Sequence, residues 1–243
     1  MPSREELLAA YRLPDRETPR IRMNFIASVD GAATVHGGSA ELGGVTDRAL
    51  MQILRAMADV IVVGAGTVRA EGYGGTGVGG ADAAWRTSQG LPDQPRLALV
   101  SRGLEIAPQH PFFAEAVARP LVVTCADADA ARRRALEEVA DVLVCGETSV
   151  DLPAMRDALA ERGLRQVLCE GGPHLFGALY EDRLVDEVCL TLAPRLVGGD
   201  AGRILRGADE AAARLRLLSV LADAEGFVLL RYASVAGGEG DLS

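Results

Sequence analysis

The sequence predicts an α/β fold, with a mostly parallel central sheet, helices on both faces and antiparallel strands at the C-terminus. Two observations carry that prediction. Short apolar runs at Arg96–Ser101, Leu121–Thr124, Asp141–Cys145 and Arg165–Cys169 alternate with helical patterns at about 127–140 and 153–162. A βαβα rhythm of this kind gives a parallel sheet covered on both faces. The last three apolar runs, Asp186–Ala193, Leu215–Leu221 and Phe227–Ala233, break the rhythm, because only the hairpin-length segment Ala222–Gly226 joins the final two.

In chain order, residues 3–11 (SREELLAAY) suit a short helix, and 14–20, with two prolines, suit a linker; residues 1–20 are expected to form an N-terminal arm. A single domain is expected over 21–234, followed by a polar, disordered tail at 235–243. Ile21–Ser28 is an extended run closed by the turn signal Asp30-Gly31. The small, Gly-rich stretch 31–44 suits a mobile loop. Thr46 is placed to cap a helix running to about Ala58, with Leu50, Ile53, Leu54 and Met57 on one face. Asp59–Val63 is a buried strand by its continuous apolar character. Residues 72–80 (GYGGTGVGG) hold six glycines and predict a flexible loop, with 81–95 irregular and a short helix near 111–118.

Composition removes several classes of function. A net charge of −9 argues against a nucleic-acid binder, which needs a basic face. No apolar run has the length of a membrane span and the N-terminus lacks a signal-peptide pattern, so a cytoplasmic protein is expected. The four cysteines, Cys125, Cys145, Cys169 and Cys189, lie in or beside apolar strand runs without a C-x-x-C, as buried free thiols do. His36, His110 and His174 have no metal-ligand spacing, so no metal is expected.

Four strand ends carry polar or glycine sequences: Ala27–Gly31, Gly64–Thr67, Ser101–Gly103 and Glu170–Gly172. Ligands of open α/β sheets bind beyond the carboxyl ends of the strands. The most distinctive end is 169–187, CEGGPHLFGALYEDRLVDE. There a strand stops at Glu170, Gly171 and Gly172 make a turn, and Pro173 opens a helix containing Leu175, Phe176 and Leu179. Proline at the first helical position costs no hydrogen bond. Unpaired N–H groups and the helix dipole make such a point an anion site. The dinucleotide fingerprint GxGxxG is absent after Gly64.

The segments MNFIASVDG (23–31), LRAMADVIVVGAGTVRAE (54–71), CEGGPHLFGALYEDRLVDE and LTLAPRLVGGDAGRIL (190–205) occur in that order. Together they resemble the reductase domain of the bifunctional deaminase/reductase of riboflavin biosynthesis, over roughly residues 20–233. The resemblance implies a dihydrofolate-reductase-like fold and an NADPH-dependent reduction of a ring-opened ribosylamine on an aminopyrimidine. It implies cofactor contacts at Ala27, Thr67, Glu71 and the segment Gly171, Gly172, Pro173, His174, Leu175 and Phe176. It implies substrate contacts at Glu170 and Arg55, with Glu170 and Asp30 as the catalytic carboxylates. Ser101 and Arg102, a hydroxyl and a guanidinium after a strand, suit the 2′-phosphate of NADPH. A homodimer touching through 186–193 and 194–200 is also implied. The deaminase zinc signature is absent, so no deamination is expected. The family's phosphate-binding segment after Glu71 is replaced by GYGGTGVGG, with Arg69 and Arg86 as nearby substitutes. Weak binding of the canonical substrate's phosphate follows, and a reductase of another heterocycle such as a dihydropterin or dihydrofolate, or a non-catalytic NADP-binding dimer, are the alternatives.

Overall fold

The computed structural model describes residues 1–75 and 77–235; the tail expected to be disordered lies, from residue 236 on, outside the described residues. One nine-stranded sheet organises the chain. Its strands are β1 (Arg20–Ser28), β2 (Val60–Gly64), β3 (Arg96–Val100), β4 (Leu121–Thr124), β5 (Asp141–Val144), β6 (Gln166–Cys169), β7 (Glu187–Ala193), β8 (Leu215–Ala222) and β9 (Val228–Ser234). They lie in the order β5-β4-β3-β2-β6-β1-β7-β9-β8. All pairs from β5 to β7 are parallel, whereas β9 runs antiparallel to β7 and β8 antiparallel to β9. This is the α/β arrangement the rhythm of the sequence implies.

The helices are α1 (Arg4–Ala10), α2 (Val45–Met57), α3 (Ala65–Ala70), α4 (Gly80–Ser88), α5 (Pro111–Ala114), α6 (Ala130–Glu137), α7 (Leu152–Glu161) and α8 (Pro173–Glu181). One face of the sheet packs Ile61, Val63, Leu168 and Cys189 against α1 and α2, and the other packs Met23, Val62, Cys169 and Val188 against α7 and α8. The apolar stripe of α2 is buried as its spacing requires: Leu50, Ile53, Leu54 and Met57 are each at most 4% exposed.

Several elements differ from the sequence expectation. Thr46 lies inside α2, whose cap is Gly44, and its hydroxyl donates to the Asp223 carboxylate in the turn between β8 and β9. A short helix, α3, follows Gly64, and α4 occupies residues expected to be irregular. The signal for α4 was concealed because its buried anchor is Arg86, 1% exposed, rather than an apolar residue. The segment 1–20 does not stand apart: α1 begins with a Ser3–Glu6 capping box and sets Leu7 and Tyr11 into the main core. The strand expected as a dimer contact, β7, is interior and paired on both sides; the edge on that side is β8.

Candidate active site

β6 enters the sheet between β2 and β1, and the chain has built outward in opposite directions from those two strands. Such a switch in strand order opens a crevice at the carboxyl ends. There the turn after β2 and the turn after β6 touch. The Gly64 N–H donates to the Gly171 carbonyl at 2.8 Å, and the Glu170 N–H to the Val62 carbonyl at 3.0 Å. A Cβ added at Gly172 would stand 2.7 Å from Thr67 Oγ1, and one at Gly171, where φ is +115°, would stand 3.4 Å from it. A side chain at 172 would thus displace the Thr67 hydroxyl. The first-turn N–H groups of α8, which starts at Pro173, have no acceptors within the helix and surround the same junction. His174 is exposed there, whereas Leu175 and Phe176 point into the core, with Phe176 stacked on Phe25 at 5.2 Å.

Next to the junction, Glu170 and Arg55 form a bidentate pair. Arg55 Nε and Nη2 donate to the two Glu170 oxygens at 2.7 Å each, and both side chains are 6% exposed. The Tyr73 hydroxyl donates to Glu170 Oε2 at 2.5 Å, and Arg55 lies over the Tyr73 ring. Burial alone pushes the Arg55 guanidinium down, but the adjoining Glu170 carboxylate outweighs it and holds the group above its ordinary value. Asp47, half-buried in the first turn of α2, is pushed up by burial, and the Glu170 charge adds to the shift.

The Gly-rich loop delivers Tyr73, and its middle is packed, whereas Gly72, Gly79 and Gly80 are exposed. A Cβ at Gly75 would fall 2.1 Å from the Glu115 backbone, and Val78 exchanges hydrogen bonds with the Gln94 side chain. Gly74, Gly75 and Gly77 are the positions at which the loop approaches the Glu115 and Gln94 region closely. Arg86 is likewise not available to a substrate. It donates to the carbonyls of Ala56, Ala58 and Pro92, closing the C-terminus of α2.

The remaining candidates line the same edge of the sheet. Asp30 is exposed, but its carboxylate accepts from the Ser28 hydroxyl and from the Val197 and Gly198 N–H groups. The Ser28 contact foremost, then the two N–H groups, lowers its pKa to about 2. Asp30 thereby ties the loop after β7 to the end of β1. Those loops border a cavity of about 610 Å³ lined by Thr34, His36, Glu41, Arg195 and Val197. Glu71, just past α3, accepts from the Ser39 N–H and fixes the wall of that loop. Ala27 is buried in β1, and Ser101 is buried with its hydroxyl accepting from the Leu104 N–H. Arg102 is exposed and makes no hydrogen bond or ion pair with the described residues. The four cysteines are buried free thiols. Among the described residues no group of three or more His, Cys, Asp or Glu is placed to hold a metal ion, and no helix is long and apolar enough to cross a membrane.

Tyr73 and Asp47 were missed by the sequence reading. A lone aromatic inside a glycine run was the available signal for Tyr73. Nothing in the sequence distinguished Asp47 from an ordinary first-turn acid.

Comparison with known proteins adds a family to this geometry. The model of the RibD C-terminal domain matches residues 19–229. The 2,5-diamino-6-ribosylamino-4(3H)-pyrimidinone 5′-phosphate reductase of Methanothermobacter thermautotrophicus is 31% identical over 202 residues, covering 82% of this chain and 90% of that protein. The riboflavin biosynthesis protein RibD of Escherichia coli is 27% identical over 189 residues, covering 75% of this chain and 50% of that one. Among solved structures, a pyrimidine reductase-like protein of Corynebacterium diphtheriae superposes with a TM-score of 0.85 at 29% identity, covering 95% of this chain and 99% of the other.

Proposed function

The chain belongs to the RibD C-terminal domain family, and from that premise we propose that it is an NADPH-dependent pyrimidine reductase acting on a ribosylaminopyrimidine 5′-phosphate of riboflavin biosynthesis. The observation that carries the proposal is the contact between the turns after β2 and β6, with a buried carboxylate–guanidinium pair beside it. The junction suits a dinucleotide phosphate: the Thr67 hydroxyl and the N–H groups at the start of α8 are donors, and no side chain at 171 or 172 blocks them. A bound nicotinamide supplies the hydride. The protein's part is orientation. Glu170, fixed by Arg55 and Tyr73, presents a carboxylate of defined direction to the substrate, and the cavity between the Thr34–Glu41 and Arg195–Ala201 loops receives it. Residues 21–234 carry the reductase site, with residues 1–20 packed into the same core. Arg102, exposed and without a partner among the described residues, favours NADPH over NADH.

Purified protein should oxidise NADPH in the presence of the diaminopyrimidinone or aminouracil ribosylamine phosphate, followed by nicotinamide absorbance. Turnover of dihydropterin or dihydrofolate alone would overturn the substrate assignment. Thr67→Val, which keeps shape and removes a donor, is a better probe of the cofactor site than a change at Gly172, where any Cβ meets Thr67. We also place the enzyme in the cytoplasm as a homodimer. The dimer contact fits the edge strand β8, with Leu217 and Val220 about half exposed, and the 80% exposed Leu196. Light scattering showing a monomer at micromolar concentration would remove it.

A further inference from the structure

Opening a ribosyl ring turns its ring oxygen into a hydroxyl, so the reduction needs a proton as well as a hydride. Most carboxyls around the crevice are already committed as hydrogen-bond acceptors. Both Glu170 oxygens accept from Arg55, and one also accepts from Tyr73. Asp30 accepts from the Ser28 hydroxyl and from the Val197 and Gly198 N–H groups. Glu71 accepts from the Ser39 N–H.

Asp47 is held differently. Asp47, Met51 and Arg55 follow at four-residue steps along one face of α2, so Asp47 shares the face that carries the partner of Glu170. A Cβ added at Gly43 would stand 3.4 Å from Asp47 Oδ2, which puts the carboxyl against the loop bordering the 610 Å³ cavity. Among the described residues it forms no ion pair and accepts from no backbone N–H. Its neighbouring donor is the Thr191 hydroxyl of β7, which is fully buried and has no partner in hydrogen-bond geometry among the described residues.

These surroundings favour the protonated acid. Burial pushes the Asp47 carboxyl up; Thr191 and Arg48 pull it down without cancelling the rise, and the Glu170 charge adds to it. The positive end of the α2 dipole favours the anion but brings no hydrogen bond to it. Other carboxylates on adjoining segments are engaged: Asp223 accepts from Thr46, and Glu41 meets His36. Two carboxyls whose environments differ in this way divide acid and acceptor roles between them.

We infer that Asp47, positioned by Thr191, is the proton donor for opening of the ribosyl ring, a role that rests on the reductase reading above. The Asp47 O–H bond breaks and its proton passes to the ring oxygen as the C1′–O bond cleaves, while the electron pair of the exocyclic nitrogen forms a C1′=N bond. Hydride addition at C1′ returns that pair to nitrogen, with oxidation of NADPH to NADP. Solvent water reprotonates Asp47, so each cycle consumes one NADPH and one proton.

The test pairs kinetics with a titration that needs no turnover. With the diaminopyrimidinone and the aminouracil ribosylamine phosphates as substrates, Asp47→Asn should lower kcat about a hundredfold or more, and keep NADPH affinity within about twofold by calorimetry. In wild type, kcat/KM should fall as pH rises above the Asp47 pKa, and that limb should be absent from Asp47→Asn. Thr191→Val removes a hydroxyl that favours the anion, and should move the limb to higher pH. In the ligand-free chain, carboxyl-carbon NMR should show Asp47 titrating above its ordinary value of 3.8. An Asp47→Asn enzyme with wild-type kcat, or an Asp47 that titrates at or below 3.8, overturns the assignment and leaves the reductase reading standing. A wild type that turns over neither ribosylamine phosphate overturns both.

Discussion

Arg55 and Glu170 illustrate how one contact decides what a mutation reports. As a free cation in a cleft, Arg55 would affect KM when removed. As half of a buried bidentate pair, its removal strands a carboxylate that is 6% exposed. Breaking such a pair costs about 3–5 kcal/mol. Arg55→Ala is therefore expected to lose stability of that order in urea melts, and Glu170→Gln, which strands the buried guanidinium and offers it one acceptor instead of two, should also lose stability. Equal stability of Arg55→Ala and wild type would show that the pair is not what holds α2 to β6. Asp30 gives a pH signature of the opposite kind. Its carboxyl is lowered from 3.8 to about 2 by Ser28, Gly198 and Val197. A lowered folded-state pKa contributes stability above the unfolded value, lost as pH falls through the folded one. The stability difference between wild type and Asp30→Asn should thus be constant above about pH 5 and vanish between about pH 4 and pH 2. Glu170 was legible as a site residue because it ends an apolar strand before two glycines. Its bond to Arg55 was not, because 115 residues separate them and only the fold brings them together.

At the scale of elements, the stretch from 72 to 95 shows where periodicity misleads. Glycine density suggests freedom, but at Gly75 it serves close approach: two backbones meet there, and a Cβ would overlap Glu115. Helix α4 escaped notice because its innermost side chain is charged. Arg86 serves as a tertiary cap: the last carbonyls of α2 have no intrahelical donors, and a guanidinium from α4 satisfies those of Ala56 and Ala58. Burial pushes the Arg86 pKa down to about 10, still charged at neutral pH. Arg86→Met fills the volume but leaves those acceptors buried and unpaired, each costing about 1–3 kcal/mol. Because the same α2 turn carries Arg55, the variant should lose both stability, seen in thermal melts, and activity. An Arg86→Met protein as stable as wild type would show that water satisfies the carbonyls equally well. The short, continuously apolar strands and the helices between them needed no such tertiary information, and for that reason β3 to β7 are legible nearly to their observed bounds.

Across the whole molecule, the N-terminal segment is packed onto the sheet as part of the core rather than appended to it. Tyr11 is fully buried and Leu7 1% exposed, both within the main core. Beneath them lies a buried charge triad, in which Arg22 and Arg231 share Glu187. Arg231 also donates to the carbonyls of Ala10 and Arg12, and Gln166 in β6 donates to those of Arg16 and Thr18. The sequence could not announce this, because polar residues and two prolines between 14 and 20 look like a linker unless the buried donors awaiting their carbonyls are known. Deleting residues 1–13 removes two fully buried side chains, at about 1.5–3 kcal/mol each, and opens the triad to water on one side. A loss of about 4 kcal/mol lowers Tm by roughly 8–16 °C in a chain of this size. Calorimetry of the truncated chain beside wild type measures that shift directly. The cofactor junction lies at the opposite, carboxyl ends of the strands, so saturating NADPH should raise Tm of both proteins by a similar increment. A truncated chain that melts with wild type would mean that α1 covers the sheet without supporting it.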